Sequence, residues 1–477
     1  MYIYDSSMIK KMALKDNQEL VRRIAKLAKQ NQELEEHIKK LQKENEKLAR
    51  ELEKFKALSE KLSPELLKEE GEKRERSLKF DMATILFADI HGFSKLVEEI
   101  DSTVLMDELD EILFEFDRIA ENYKIEKIKT IGDTYMCVGG IPVKNITNPV
   151  DVVMAAIAMR NHLQEIENKK RGPEKRIWDL KIGIHTGPVT ATVTGKKKVS
   201  YDIKGDTVNT ASRIQAVSEK GMILISVMTY ELVKEFFDCI YFGKLPVKYK
   251  GDLQIFEVKG LKPEFSVNGD GKTPNDTFRI KFGLIQFTDI QEIVLDKLEK
   301  ELPSYLYYHN VKHTVDVVTE VELIGWAEGC TDEEILLLKT AALFHDAGHT
   351  IGYDNHEYYS TQIAREMLPK YNYTPEQIDR ICEIIMATKL PPRPKNLLEE
   401  IICDSDLDYL GRSDFIPVSN TLFEELKAQN KISSLNEWNK MQVKFISNHQ
   451  YFTKTARSLR EVNKQQQIER IQSLITE

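Results

Sequence analysis

Near the start of the chain apolar residues recur every seven positions: Leu20, Leu27, Leu34, Leu41, Leu48, Phe55 and Leu62. The interleaved positions hold Ile24, Asn31, Ile38, Asn45 and Leu52. With the leucines at d these are a positions, and an Asn at a fixes a parallel two-stranded register. The spacing predicts a parallel coiled coil over residues 17–63, after a lead at 1–16 and before a linker at 64–79. The period then changes. Residues 82–88 form an apolar run that reads as a buried strand ending at Asp89. Alternation on both sides of Gly132-Asp133 predicts a hairpin there. Helices are expected near 103–123 and 150–166, and further strands at 180–185 and 222–226. The stretch 264–276 is rich in Gly, Pro, Asn and Asp, which predicts a linker over 264–278. Beyond it, residues 279–473 read as helical.

The first strand delivers Asp89 to the turn Ile90-His-Gly-Phe-Ser94, where the backbone N–H groups of Gly92, Phe93 and Ser94 can face a phosphate. Asp133 occupies the hairpin turn. Two such acids suit a pair of hard divalent cations, with nucleotide phosphates completing the coordination. Downstream, Tyr201-Asp-Ile-Lys-Gly-Asp-Thr-Val-Asn-Thr-Ala-Ser-Arg213 supplies Asp202, Asn209 and Arg213. Asn209 and Arg213 are four apart and share a helix face. A guanidinium fork beside an amide suits phosphate oxygens.

On these motifs, residues 80–263 resemble the catalytic domain of the class III nucleotidyl cyclases. The resemblance implies an α+β fold with a ferredoxin-like βαββαβ core. It makes Asp89 and Asp133 the metal-binding acids, assisted by the backbone carbonyl of Ile90, with two Mg or Mn ions. Asn209 and Arg213 would stabilise the transition state, and Lys250, with Lys248 as the rival, would reach the triphosphate. Lys129 as donor and Asp202 as acceptor match an adenine pocket. A guanine pocket in this family resembles Glu and Cys at those two places. The resemblance therefore implies ATP as substrate, with GTP as the alternative, and cyclic AMP and pyrophosphate as products. One chain holds both the metal set and the base set, which in this family meet across a dimer interface. A homodimer is expected, and the zipper supports it independently.

At 477 residues with 41% hydrophobic content, the chain has room for two globular domains after the coil. No run approaches a membrane span, and the first 15 residues lack a signal-peptide core, so a cytoplasmic location is expected. Cys137, Cys239, Cys330, Cys382 and Cys403 are scattered without metal-type spacing and read as reduced thiols. A net charge of −9 without a basic stripe argues against nucleic acid as a partner.

In the helical half the histidines cluster. His309 and His313 stand one helical turn apart, followed by His345-Asp346-Ala-Gly-His349, His356 and Cys403-Asp-Ser-Asp406. Imidazole with carboxylate suits transition metals or a mixed pair. Residues 279–473 resemble the all-α HD-type metal phosphohydrolases, and Tyr308-His-Asn is similar to the opening motif of cyclic-nucleotide phosphodiesterases. The resemblance implies His313, His345, Asp346 and Asp404 as ligands of one or two divalent metals. Asp406 is the rival for the last place, and His349 and His356 would add a second metal or line the pocket. It makes His309 the general acid. A non-catalytic regulatory or ligand-sensing role for this half stays open.

Overall fold

The computed structural model describes residues 77–91, 102–169, 178–194, 200–247 and 251–476. The heptad segment lies outside the described residues, as do Gly92, Phe93, Ser94, Lys248 and Lys250.

The first six elements are β1 (Ser77–His91), α1 (Ser102–Asn122), β2 (Glu126–Ile131), β3 (Thr134–Gly139), α2 (Asn148–Lys169) and β4 (Asp179–Thr194). They lie in the sheet order β2-β3-β1-β4, which is the expected βαββαβ core. Next come β5 (Ser200–Lys204), α3 (Asp206–Val217), β6 (Ile223–Ser226), α4 (Val227–Val233), β7 (Phe237–Val247) and β8 (Gly251–Leu261). They extend the sheet beyond β4 as β6-β8-β7, while β5 pairs with β4. Of the strand pairs among the described residues, only β4 with β6 runs parallel.

Strand β1 is buried on both faces, and its period of two sorts the core into two layers. Leu86, Ala88 and Ile90 face α1 and α2. Ala83, Ile85 and Phe87 face the other way, with Met136, Val138 and Ala211 of α3. Asp89 continues this second face, so the acid and helix α3 share one side of the sheet.

The segment 264–278, expected as a linker, is packed. Phe265 and Phe278 are buried in the same cluster as the sheet core. Phe236 holds both, with ring centroids 5.4 and 5.2 Å away. Its Gly and Asn residues serve tight turns, and Leu261 N–H bonds to Gly271 O at 2.8 Å. The linker composition therefore marks turns pressed against the sheet domain.

The second half is all-helical: α5 (Asp276–Glu301), α6 (Val311–Ala327), α7 (Asp332–Phe344), α8 (His356–Met367), α9 (Pro375–Ala387), α10 (Leu397–Asp406), α11 (Phe415–Ala428), α12 (Leu435–Asn448) and α13 (Lys454–Gln472). Helix α7 is its axis. Ile335–Leu338 and Ala341–Phe344 are all buried, so this helix is apolar all round, as a central helix must be. A capping box between Thr331 and Glu334 sets its start. Among the described residues no helix is long and apolar enough to cross a membrane.

Helix α5 begins inside the core of the sheet domain, so the described residues pack as one unit. At this seam Asp151, in the first turn of α2, lies near Asp289 of α5. Burial pushes the Asp151 carboxyl up to about 7 and the Asp289 charge adds to this, against a hydrogen bond from Thr147 and the charge of Lys124. The folded chain then keeps a proton that the unfolded chain releases near pH 4, so stability falls as pH rises from about 4 to about 7. Asp151→Asn keeps an acceptor for Thr147 without the charge. Melting temperatures of the variant and the parent should converge near pH 4, and the variant should be the more stable at pH 8. Calorimetry at both pH values checks this, and a constant difference would contradict it.

Candidate functional site

The sheet domain gathers its two acids at one end of adjacent strands. Asp89 sits opposite Thr134 of β3, whose hydroxyl donates to Asp89 Oδ1 at 3.1 Å. Ile90 N–H donates to the carbonyl of Asp133 at 3.1 Å, tying the hairpin turn to the end of β1. Both acids are half-buried. Lys129 pairs in register with Met136 and is exposed, and Asp202 lies on β5 opposite Thr192, 3.4 Å from Lys204 Nζ. Asn209 and Arg213 stand one turn apart on the exposed face of α3, whose buried face is Thr207, Thr210, Ala211 and Ile214. Helix α3 can lie this close to β4 because Gly183 has no side chain. A Cβ there would fall 2.1 Å from the backbone N of Gln215.

In the helical domain, His313 is placed by the N-cap of α6, where Asn310 accepts its N–H at 3.1 Å. His345 ends α7, and Asp346 opens the short 3-10 turn carrying His349. This turn presses on the start of α8, and Gly348 permits it: a Cβ would lie 1.9 Å from the carbonyl of His356. Ser360 locks the contact, accepting from Gly348 N–H at 2.8 Å and donating to the carbonyl of His345 at 2.6 Å.

The side chains so placed converge. His345 Nδ1 lies 2.7 Å from the carbonyl of Ala342, so Nδ1 carries a proton and Nε2 is the nitrogen turned toward the cluster. That Nε2 is 3.3 Å from His313 Nε2, and Asp406 Oδ1 is 3.1 Å from His313 Nε2 and 3.5 Å from His345 Nε2. Asp346 spans two clusters. Its Oδ2 is 3.2 Å from His345 Nε2 and 3.5 Å from His313 Nε2, and its Oδ1 is 3.4 Å from His356 Nε2 and 3.8 Å from His349 Nε2.

Burial alone would raise Asp346 and Asp406. The charge of His345 outweighs it at Asp346, and hydrogen bonds to His313 and His345 outweigh it at Asp406, so both fall below the ordinary carboxylate range. Burial lowers His349 to about 3, so its ring is neutral and able to donate a lone pair. Both ring nitrogens of the buried His349 have no hydrogen-bond partner. Buried polar atoms left so are costly unless a cation takes them up. Two triads, His313-His345-Asp346 and His309-Asp346-His349, each hold their donor atoms within 4.8 Å of one another. The donor set fits one or two divalent metals.

The sequence reading placed Asp404 among these ligands, and the structure corrects it. The Asp404 carboxylate accepts from Phe452 N–H at 2.9 Å and from the Thr453 N–H and hydroxyl, each at 2.8 Å, holding the chain at the start of α13. Asp406, two residues on and therefore about 200° round the helix, faces the histidines instead.

Glu425 was missed altogether. Fully buried on α11, it accepts from the backbone N–H of Tyr308 and His309 at 2.9 and 3.1 Å, and lies 2.5 Å from His309 Nδ1. Burial alone would lower His309, but the bond to Glu425 and the charge of Asp346 outweigh it and raise its pKa. Beside His309 opens a cavity of about 350 Å³ lined by Leu390, Leu422, Trp438, Phe445 and the amide of Gln442.

Residues 76–260 match the family described as the Adenylate and Guanylate cyclase catalytic domain, and residues 310–410 match the HD domain family. The chain therefore carries a cyclase catalytic domain followed by an HD domain. It is 34% identical over 207 residues to Guanylate cyclase soluble subunit beta-2 of Homo sapiens, covering 43% of this chain and 33% of that protein. It is 32% identical over 194 residues to Adenylate cyclase of Mycobacterium tuberculosis, covering 41% and 43%. It is 36% identical over 191 residues to Guanylate cyclase 32E of Drosophila melanogaster, covering 39% and 16%. The chain thus spans less than half the length of each, and both adenylate and guanylate enzymes are among its relatives.

Metal analysis separates the two neighbouring aspartates. Asp406→Ala should lower the divalent metal bound by purified protein severalfold with little change in melting temperature. Asp404→Ala should keep the metal and lose stability, since two buried N–H groups and a hydroxyl lose their acceptor at roughly 1–3 kcal/mol each. The opposite pattern would restore Asp404 as the ligand.

Proposed function

We propose that the chain is a homodimeric adenylate cyclase that converts ATP to cyclic AMP and pyrophosphate, joined to an HD domain that hydrolyses a phosphoester. The observation that carries the first part is the tie between Asp89 and the Asp133 turn, on the sheet face covered by the Arg213 helix. Asp89, Asp133 and the carbonyl of Ile90 would hold two divalent cations, Mg²⁺ or Mn²⁺. Bound there, these neutralise the triphosphate and make the ribose 3′-hydroxyl more acidic. Arg213 donates to the phosphoryl oxygens as charge builds, Asn209 orients the neighbouring groups, and Lys250 binds the triphosphate. Attack is intramolecular, so positioning carries most of the acceleration.

Lys129 and Asp202 support adenine. A guanine in their place would leave a donor facing a donor and an acceptor facing an acceptor, at roughly 1–3 kcal/mol per unpaired group. Lys129, Asn209 and Arg213 stand exposed in the single chain, which fits a site completed by a second subunit. The zipper over residues 17–63 would bring that subunit to the same end.

In the HD domain, His313, His345, Asp346 and Asp406 would hold one cation, and Asp346 with His349 and His356 a second. Bound cations there polarise a phosphoryl oxygen and acidify water. Glu425 fixes the proton of His309 on Nδ1, and protonation at Nε2 makes the ring a donor to the leaving oxygen. The apolar cavity beside it suits a ligand with a flat aromatic part, so a cyclic nucleotide fits better than a small phosphate.

Purified full-length protein given ATP or GTP with Mn²⁺ or Mg²⁺ tests both halves. Cyclic AMP should form first and AMP should follow, with ATP used in preference to GTP. Changing Lys129 to Glu and Asp202 to Cys together should shift the preference toward GTP, and equal use of both nucleotides by the parent would overturn the adenine assignment. Asp89→Ala and Arg213→Ala chains should each be nearly inactive and should regain activity when subunits exchange, because the mixed dimer keeps one intact site. No recovery under exchange would rule out the shared site.

A further inference from the structure

We infer that Asp289, a residue of the helical half, is a positioning residue for the reaction at the Asp89–Asp133 site. This rests on the cyclase reading, and it concerns a residue outside the cyclase domain.

Asp289 lies on α5 and is 6% exposed. Its Oδ1 accepts the backbone N–H of Ile146 at 2.7 Å, and its Oδ2 accepts the hydroxyl of Thr147 at 3.3 Å. These two residues immediately precede α2 of the sheet domain. Partial positive charge collects at a helix start, and a carboxylate beside it is favoured by that charge while its bonds hold the residues that lead into the helix. The helical half thus anchors the entry to a helix of its neighbour.

The next residue, Asn148, connects this anchor to the two acid-bearing strands. It is 1% exposed, and its Oδ1 accepts the Thr84 hydroxyl at 2.6 Å. Thr84 lies on β1, five residues before Asp89. Asn148 also abuts the end of β3: a Cβ on Gly139 would lie 3.0 Å from Asn148 Cβ, and one on Gly140 would lie 2.9 Å from Asn148 Nδ2. Strand β3 begins at Thr134, the residue that bonds to Asp89. Thr84 is braced from the far side by Thr186 of β4 at 3.0 Å, which in turn meets Thr229 at 3.0 Å. A buried polar run therefore leads from Asp289 through Thr147 and Asn148 to β1 and β3. Buried polar groups fully paired in this way have few alternative arrangements, so moving the anchor shifts the strands.

The test uses the full chain with saturating Mn²⁺. Asp289→Ala should lower kcat for cyclic nucleotide formation roughly fivefold or more, within the usual span of coupling between sites, and leave KM for ATP nearly unchanged. Asp289→Asn, which keeps an acceptor for Ile146 N–H, should restore most of kcat. Thr147→Val, which removes only the weaker bond, should fall between them and serves if the alanine variant does not fold. Divalent metal bound by the HD domain should stay at the parental level in all three. Hydrogen exchange over residues 131–141 should speed up in Asp289→Ala, and this readout needs no turnover. An inactive parent would count against the cyclase reading while exchange still tested the brace. Parental kcat together with parental exchange in a folded Asp289→Ala or Thr147→Val chain would overturn the inference.

Discussion

Burial of β1 on both faces is the constraint on which the rest of the sheet domain depends. A strand with neighbours on each edge and side chains covered above and below cannot slip by a single residue, because a slip would exchange the two cores. Leu86 and Ala88 belong to one layer, Ile85 and Phe87 to the other, and each layer has its own helices. Asp89 inherits its direction from this alternation. The acid is aimed by the side chains that precede it rather than by any bond of its own, and its link to Thr134 only trims the final position.

The helical domain meets a different problem, since it buries charge alongside its apolar core. Asp346 and Asp406 stand among histidines in the interior, where an uncompensated carboxylate would cost several kcal/mol. Tyr308 packs on both His309 and His313, with ring centroids 4.8 and 4.6 Å away, and limits how far either ring can turn. The site is held open by packing and by second-layer bonds such as Glu425 to His309 and Ser360 to Gly348. Preorganisation of this kind keeps the lone pairs convergent before any cation arrives.

Much of this was legible in the sequence. The apolar run before Asp89, the turn at Gly132-Asp133 and the four-residue spacing of Asn209 and Arg213 each carry a local period, and the observed elements agree with it. The His345-Asp346 doublet was legible for the same reason, at the end of an apolar helix. The choice between Asp404 and Asp406 was not, because both fall in one short polar run and the helix phase is set by packing against α6 and α9. Glu425 left no local signal at all, being joined to His309 only through the fold. The turns of 264–278 misled by composition, since Gly and Asn mark a tight turn whether it is free or packed. The heptads remain a reading of the sequence alone.

Helix α5 starts among the phenylalanines of one domain and runs through the core of the next. Phe278 and Phe282 stack on each other at 5.7 Å within the first core, and Phe287 and Ile290, two turns on, belong to the second. A single rigid rod thus serves as the last wall of one fold and the first wall of another. Neither core can melt without stripping the rod from the other, so heat should be taken up by both together rather than in two separate steps. In thermodynamic terms the domains are two in chemistry and one in cooperativity.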